Sequence, residues 1–65
     1  MNKQEFLAEL KARLSGLPQS DIEERLIFFG EMIDDRIEEG LAEEEAVSAI
    51  GTVDEVAGQI VAETP

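Results

Sequence analysis

Two glycines, Gly40 and Gly51, divide the segment from Gly40 to Ala57, and this division constrains the fold more than any other feature. Each glycine follows an apolar stretch with helical spacing, and acidic residues begin the next stretch shortly afterwards. Glycine is the usual residue just past a helix end, and acidic side chains stabilise the positive end of the next helix dipole. The segment therefore predicts a helix end, a short helix, a tight turn and another helix.

Apolar residues recur at helical spacing along the rest of the chain, and no strand pattern interrupts them. We predict an all-α fold, a compact bundle of four helices of which two are longer and two are short. The predicted helices cover about residues 3–15, 21–39, 43–50 and 53–63. Three capping boxes mark helix starts. In a capping box, a capping residue and an acid three residues later each accept, through the side chain, a hydrogen bond from the backbone N–H of the other. The predicted pairs are Asn2 with Glu5, Ser20 with Glu23, and Thr52 with Glu55.

Length and composition restrict the classes of function. The chain has 65 residues, which is enough for one domain, and it contains no cysteine, histidine or tyrosine. Disulfides and the usual ligands of zinc and haem are therefore missing, and few groups remain for acid–base or nucleophilic chemistry. We expect a non-catalytic domain without a cofactor. No stretch reaches the roughly 20 apolar residues of a membrane span, and no signal peptide begins the chain, so we expect a cytoplasmic location.

Net charge is −11 and is unevenly distributed. Residues 1–36 contain eight acidic and five basic side chains, whereas residues 37–65 contain eight acidic side chains and no basic one. Phosphates would be repelled by the second part, so we expect no nucleic acid and no anionic membrane as a partner. The charge attracts a basic protein partner instead.

The longest predicted helix has an apolar seam that faces a core, made of Ile22, Leu26, Phe29, Ile33 and Ile37. A second apolar stripe on the same helix contains Phe28 and Met32, with Ile27 as a further candidate. Such a stripe is either covered by another helix, which would extend the core, or left free as a contact surface. We predict a protein-contact surface that combines this stripe with nearby acids, namely Phe28, Met32, Asp35, Glu38 and Glu39.

Acidic residues are concentrated around the end of this helix and the start of the next, in Glu31, Asp34, Asp35, Glu38, Glu39, Glu43, Glu44 and Glu45. Charged runs of this kind usually lie on solvated surfaces. The alternative is a Ca²⁺ or Mg²⁺ site in which Asp34 and Glu38, one turn apart, share an ion. The alternating ligands of an EF-hand loop are absent, and we expect no metal site. Gly30 lies in the middle of the helix, where it marks either an exposed position or the close approach of a neighbouring backbone.

Three blocks of sequence occur in a recognisable order, FLAELKARLSGLP, FFGEMIDDRIEEG and EEEAVSAIGTVDEVAGQI. Together they resemble the HAAS signalling domain, a helical domain associated with PadR-type transcriptional regulators. The matching positions are Phe6, Leu10, Leu14, Leu17, Pro18, Glu31, Gly40, Glu45, Ala46, Gly51 and Ala57. One departure is Ala42, which stands where the family often has Ser or Thr and leaves the third helix without a side-chain cap.

The resemblance implies a role in protein–protein signalling. HAAS domains form the N-terminal part of bacterial membrane proteins of unknown function, so the resemblance implies that residues 1–65 are the cytoplasmic domain of a longer, membrane-anchored protein. It also implies a regulatory domain that couples a membrane part to a PadR-type regulator. Two other functions stay open, a structural module for homo-oligomerisation and an acidic module that senses divalent cations.

Overall fold

Four helices and no strand make up residues 1–64, the part of the chain that the computed structural model describes. Their bounds are Lys3–Arg13 (α1), Gln19–Glu38 (α2), Glu43–Ile50 (α3) and Val53–Glu63 (α4). The predicted all-α bundle of four helices is thus confirmed. The predicted lengths need correction, because α1 ends at Arg13 and not at Ser15, so that α1 and α4 both have 11 residues. No helix in residues 1–64 is long and apolar enough to cross a membrane.

Two of the three predicted capping boxes are present, and they begin α1 and α4. The Glu5 N–H donates to Asn2 Oδ1 at 2.8 Å, and the Asn2 N–H donates to Glu5 Oε1 at 3.0 Å. Thr52 and Glu55 make the same reciprocal pair, with both distances 3.1 Å. These side chains satisfy backbone groups that a helix start leaves without an intrahelical partner.

The predicted capping box of Ser20 and Glu23 is wrong. Helix α2 begins at Gln19, so Ser20 already lies within its first turn. The residue that precedes the helix is Pro18, whose carbonyl accepts a hydrogen bond from the Asp21 N–H at 3.1 Å. Since Pro18 fixes the entry of the chain and has no capping side chain, α2 starts without a side-chain cap. Helix α3 also starts without one, as predicted from Ala42.

Gly40 and Gly51 end α2 and α3 as predicted. Their φ angles are +110° and +124°, a backbone region that side chains with a Cβ rarely adopt. At Gly40 the chain forms a Schellman motif, in which the Leu41 N–H donates to the Arg36 carbonyl at 3.1 Å and the Gly40 N–H to the Ile37 carbonyl at 3.0 Å. This tight turn lets α3 fold back against α2.

A single apolar core joins all four helices. Helix α1 contacts each of the other three, and α2 also packs against α3. Within residues 1–64 no polar or charged residue is buried. The apolar core consists of Phe6, Leu10, Leu14, Ile22, Ile33, Ala46, Val47, Val53, Val56, Ala57 and Ile60. Of the predicted α2 seam, Ile22 and Ile33 are buried and Leu26 and Phe29 pack partly against the core, whereas Ile37 is 38% exposed.

Candidate protein interface

Phe28 and Met32 lie on the side of α2 that faces away from the core. Phe28 is 52% exposed, and Met32 is half-buried without being among the residues that pack against the core. Asp35 and Glu39 continue the same line toward the helix end, at steps of four, three and four residues, and both are exposed. At about 100° per residue these steps keep the four side chains on one face. We call Phe28, Met32, Asp35 and Glu39 the outer stripe.

The ring of Phe28 is held in place by its neighbour in sequence. The ring centroids of Phe28 and Phe29 are 5.1 Å apart and the planes are inclined by 79°, which is an edge-to-face contact. Phe29 in turn packs against the buried core. The exposed ring is therefore supported from below by a ring that belongs to the core, which limits the entropy lost when a partner covers it.

Glu38, the fifth predicted contact residue, does not lie on the outer stripe. It belongs to a second line of side chains, Glu24, Glu31 and Glu38, which follow one another at intervals of seven residues and are all exposed. We call these three residues the acidic row. On a helix of 3.6 residues per turn the row runs beside the outer stripe, about 70° away from it. The predicted contact residues did not include Glu24 and Glu31, although their seven-residue spacing was readable in the sequence.

Ile27 lies on a different face from Phe28. Its side chain is 63% exposed and borders a shallow groove between α1 and α2, which Leu7 and Gly30 also line. Consecutive helical residues are about 100° apart, so the Ile27 side chain cannot join Phe28 in one flat contact. The outer stripe and the groove at Ile27 are two separate surfaces on opposite sides of the acidic row.

Gly30 is covered by side chains of α1, and neither interpretation drawn from the sequence describes it. A Cβ at this position would meet Leu7 Cδ1 and Lys3 Cε, each at 3.5 Å, which is an ordinary van der Waals separation. The position is buried but not crowded, and the neighbouring atoms belong to side chains, not to a backbone. A methyl group therefore fits there.

Several acids of the predicted cluster are paired within the fold, either with a cation or with a backbone N–H. Lys3 Nζ lies 2.9 Å and 3.0 Å from the two carboxylate oxygens of Asp34, and the Lys3 N–H donates to Glu43 Oε2 at 3.0 Å. Arg36 Nη1 lies 3.8 Å from Glu39 Oε1. Asp35 and Glu38 form no ion pair within residues 1–64, so they remain free for an external cation.

The family model for HAAS matches residues 5–59. This chain belongs to the HAAS family. No curated protein and no solved structure matches it. The matched residues contain the outer stripe and the acidic row, so both surfaces lie inside the HAAS region.

The acidic side chains of this HAAS domain do not converge on a point. In the described part of the domain, residues 1–64, no group of three or more acidic side chains is arranged to hold a metal ion. Asp34 and Glu38 were the two residues considered for a shared ion, and the Asp34 carboxylate forms an ion pair with Lys3.

Proposed function

We propose that this HAAS domain is a non-catalytic regulatory domain of a bacterial signalling protein, and that it binds a protein partner through the outer stripe. The observation that carries the proposal is the exposure of Phe28, an aromatic ring that is 52% exposed in the middle of the longest helix. Aromatic side chains at the centre of a patch are typical anchors of protein interfaces. Met32 beside it adds a flexible, polarisable side chain that adapts to a partner.

Energetics support an interface at this position. Full burial of a side chain as large as Phe contributes about 1.5–3 kcal/mol, and half of that remains available at Phe28 because the domain covers only the other half. Asp35 and Glu39 lie on the same face beyond the apolar pair. An interface with an apolar centre and a charged rim matches the usual composition of specific protein contacts.

We further propose that the parent protein is anchored in the cell membrane, that this domain lies on its cytoplasmic side, and that the partner is a PadR-type transcriptional regulator. Support comes from membership of the HAAS family, since the sequence resemblance implies this association. The net charge of −11 also favours a partner with a basic surface.

Sedimentation velocity over a concentration series tests the proposal, with and without the PadR-type regulator from the same genome. The variant Phe28→Glu should abolish the complex and leave the far-UV circular dichroism spectrum unchanged. Val61→Glu is the matched control, because Val61 is 53% exposed on α4 and receives the same charge away from the outer stripe.

The outcomes separate the candidate functions. Loss of the complex with Phe28→Glu but not with Val61→Glu supports the proposal. If the domain alone forms dimers that Phe28→Glu dissolves, and the regulator does not bind, the domain is a homo-oligomerisation module and the proposal is wrong. If Phe28→Glu unfolds the domain, the ring is part of the core and the outer stripe is not a contact surface.

A further inference from the structure

We propose that the outer stripe receives a basic amphipathic helix, which lies along α2 and places Lys or Arg side chains against the acidic row. The inference rests on the proposed function and adds the chemistry of the partner. Its elements are the exposed apolar pair of the outer stripe, the free carboxylates beside it, and the charge pattern that disfavours a second copy of this chain.

The outer stripe is the middle of a longer seam. Continued toward the start of α2, it includes Arg25 and Asp21, so the positions follow steps of four, three, four, three and four residues. Alternating steps of three and four keep these positions on one face, and the apolar contact on that face is confined to Phe28 and Met32 at its middle. Helix α2 has 20 residues, about 30 Å at 1.5 Å per residue, and the seam spans most of that length.

The acidic row runs directly beside this seam. Charged side chains in that place commonly form ion pairs with a partner helix. Glu24, Glu31 and Glu38 are seven residues apart, about 10.5 Å along the axis, and all three are exposed. None of them forms an ion pair within residues 1–64. Arg36 lies on the opposite side of the seam, and Arg25 lies within it. A partner helix therefore meets an edge that carries only negative charge.

A second copy of this chain fits the seam poorly in either direction. In an antiparallel pair of α2 helices, Arg25 would meet Asp35 of the other copy, but the whole acidic row would face the acidic row of that copy. In a parallel pair, Asp35 and Glu39 would face their own copies across the seam. Like charges placed opposite each other are unfavourable, and the net charge of −11 on each copy adds to the repulsion. A helix that carries positive charges at intervals of seven residues would instead place opposite charges against the acidic row.

The test uses two designed peptides of three heptads, about the length of α2. Both have Leu at the two seam positions of each heptad. The basic peptide has Lys at the flanking positions, and the acidic peptide has Glu there. Binding to the intact domain is measured by fluorescence anisotropy of labelled peptide, at peptide concentrations where each peptide is monomeric, and the site is mapped by amide chemical shifts.

Two triple variants of the domain remove the same number of charges from different places. The first is Glu24→Gln, Glu31→Gln and Glu38→Gln, on the acidic row. The matched control is Glu9→Gln, Glu45→Gln and Glu63→Gln, all exposed, off the row and without an ion pair within residues 1–64. Both variants keep the shape of each side chain and change the net charge equally.

The wild-type domain should bind the basic peptide and not the acidic one, with shifts along α2. Exposed ion pairs contribute about 0.3–0.5 kcal/mol each, so the row variant should bind about fivefold to tenfold more weakly. The control variant should bind within about twofold of wild type, and 0.5 M salt should remove the difference between the two variants.

Other results overturn the inference, and they identify what has failed. If Phe28→Glu weakens peptide binding while the row variant does not, the outer stripe docks a helix without the proposed charge pairing. Equal weakening by both triple variants indicates diffuse attraction and no defined row. No binding of the basic peptide at 1 mM domain rejects the basic helix. The proposed function is tested separately, by whether the regulator binds the domain and whether Phe28→Glu removes that complex.

Discussion

Phe28 and Phe29 are neighbours in sequence and touch each other, yet they belong to different surfaces. Phe29 packs against the buried core, whereas Phe28 is 52% exposed on the outer stripe. Each side chain has the same chemistry, so their difference arises only from the 100° turn between consecutive helical residues. Folding accounts for the apolar side chains on the core side of α2 but not for the exposed ring of Phe28, and the proposed contact surface rests on this difference.

The two faces of α2 should therefore respond differently to the same substitution. Changes on the inner face should reduce the free energy of unfolding. Changes on the outer face should affect association and leave that free energy nearly unchanged.

The largest expected effect is at Ile33, which is fully buried on the inner face. Ile33→Ala should reduce the free energy of unfolding by about 2–5 kcal/mol, since it removes apolar contacts and leaves a cavity. A domain of this size has a stability of about 3–5 kcal/mol, so the variant should be largely unfolded at 25 °C. Met32→Ala, one residue away on the outer stripe, is the control. Urea titration followed by circular dichroism measures both, and equal losses would contradict the distinction between the faces.

The two phenylalanines give the second largest contrast. Phe29→Ala should reduce the free energy of unfolding by about 2 kcal/mol, because the ring is partly buried against the core. Phe28→Ala should reduce it by less than about 1 kcal/mol, of which the edge-to-face contact with Phe29 is the main part. Thermal unfolding of both variants measures the difference. A larger loss for Phe28 than for Phe29 would show that the outer stripe belongs to the core.

Gly30 tests how closely α1 packs against α2. Gly30→Ala should raise the free energy of unfolding by about 0.5–1 kcal/mol, because alanine favours the helix and its methyl group fits against Leu7. Gly58→Ala on α4 is the reference, since a Cβ there has nothing within 4 Å. A gain at Gly58 together with a loss at Gly30 would mean that α1 lies closer to α2 than the 3.5 Å contacts indicate.

The smallest effect is expected for the ion pair of Lys3 and Asp34. Asp34→Asn should reduce the free energy of unfolding by less than about 1 kcal/mol, since both groups are partly exposed and such pairs contribute little. Asp35→Asn is the control, because Asp35 has no ion pair within residues 1–64. Thermal unfolding in low and high salt measures both, and an equal effect of the two variants would exclude a role for the pair.

Local signals in the sequence were sufficient for most of the fold. Gly40 and Gly51 marked two helix ends because only a residue without a Cβ adopts their backbone angles easily, and Asn2 and Thr52 marked two starts. Ser20 failed as a signal because Pro18, two residues earlier, already starts the helix. A capping motif shows only that a side chain is able to cap a helix. The turn before it determines the residue at which the helix starts, here Gln19 after Pro18.

The candidate interface was predictable only in part. The spacing of Phe28 and Met32 revealed a second apolar stripe, but whether another helix covers it depends on how α3 and α4 pack, which no local pattern specifies. Glu38 was grouped with Glu39 by adjacency, whereas on the helix it aligns with Glu31, seven residues earlier. The ion pair of Asp34 with Lys3 was also not predictable from local patterns, because the two residues lie 31 positions apart in the chain.

The central place of α1 has a consequence for local opening of the domain. Since α1 contacts α2, α3 and α4, it cannot detach without uncovering the whole core. Backbone amides around Leu10 should therefore exchange with deuterium only through global unfolding, at rates set by the total stability. A partner bound along the far side of α2 would slow that exchange from a distance, so protection at Leu10 would report occupancy of a surface that α1 does not touch.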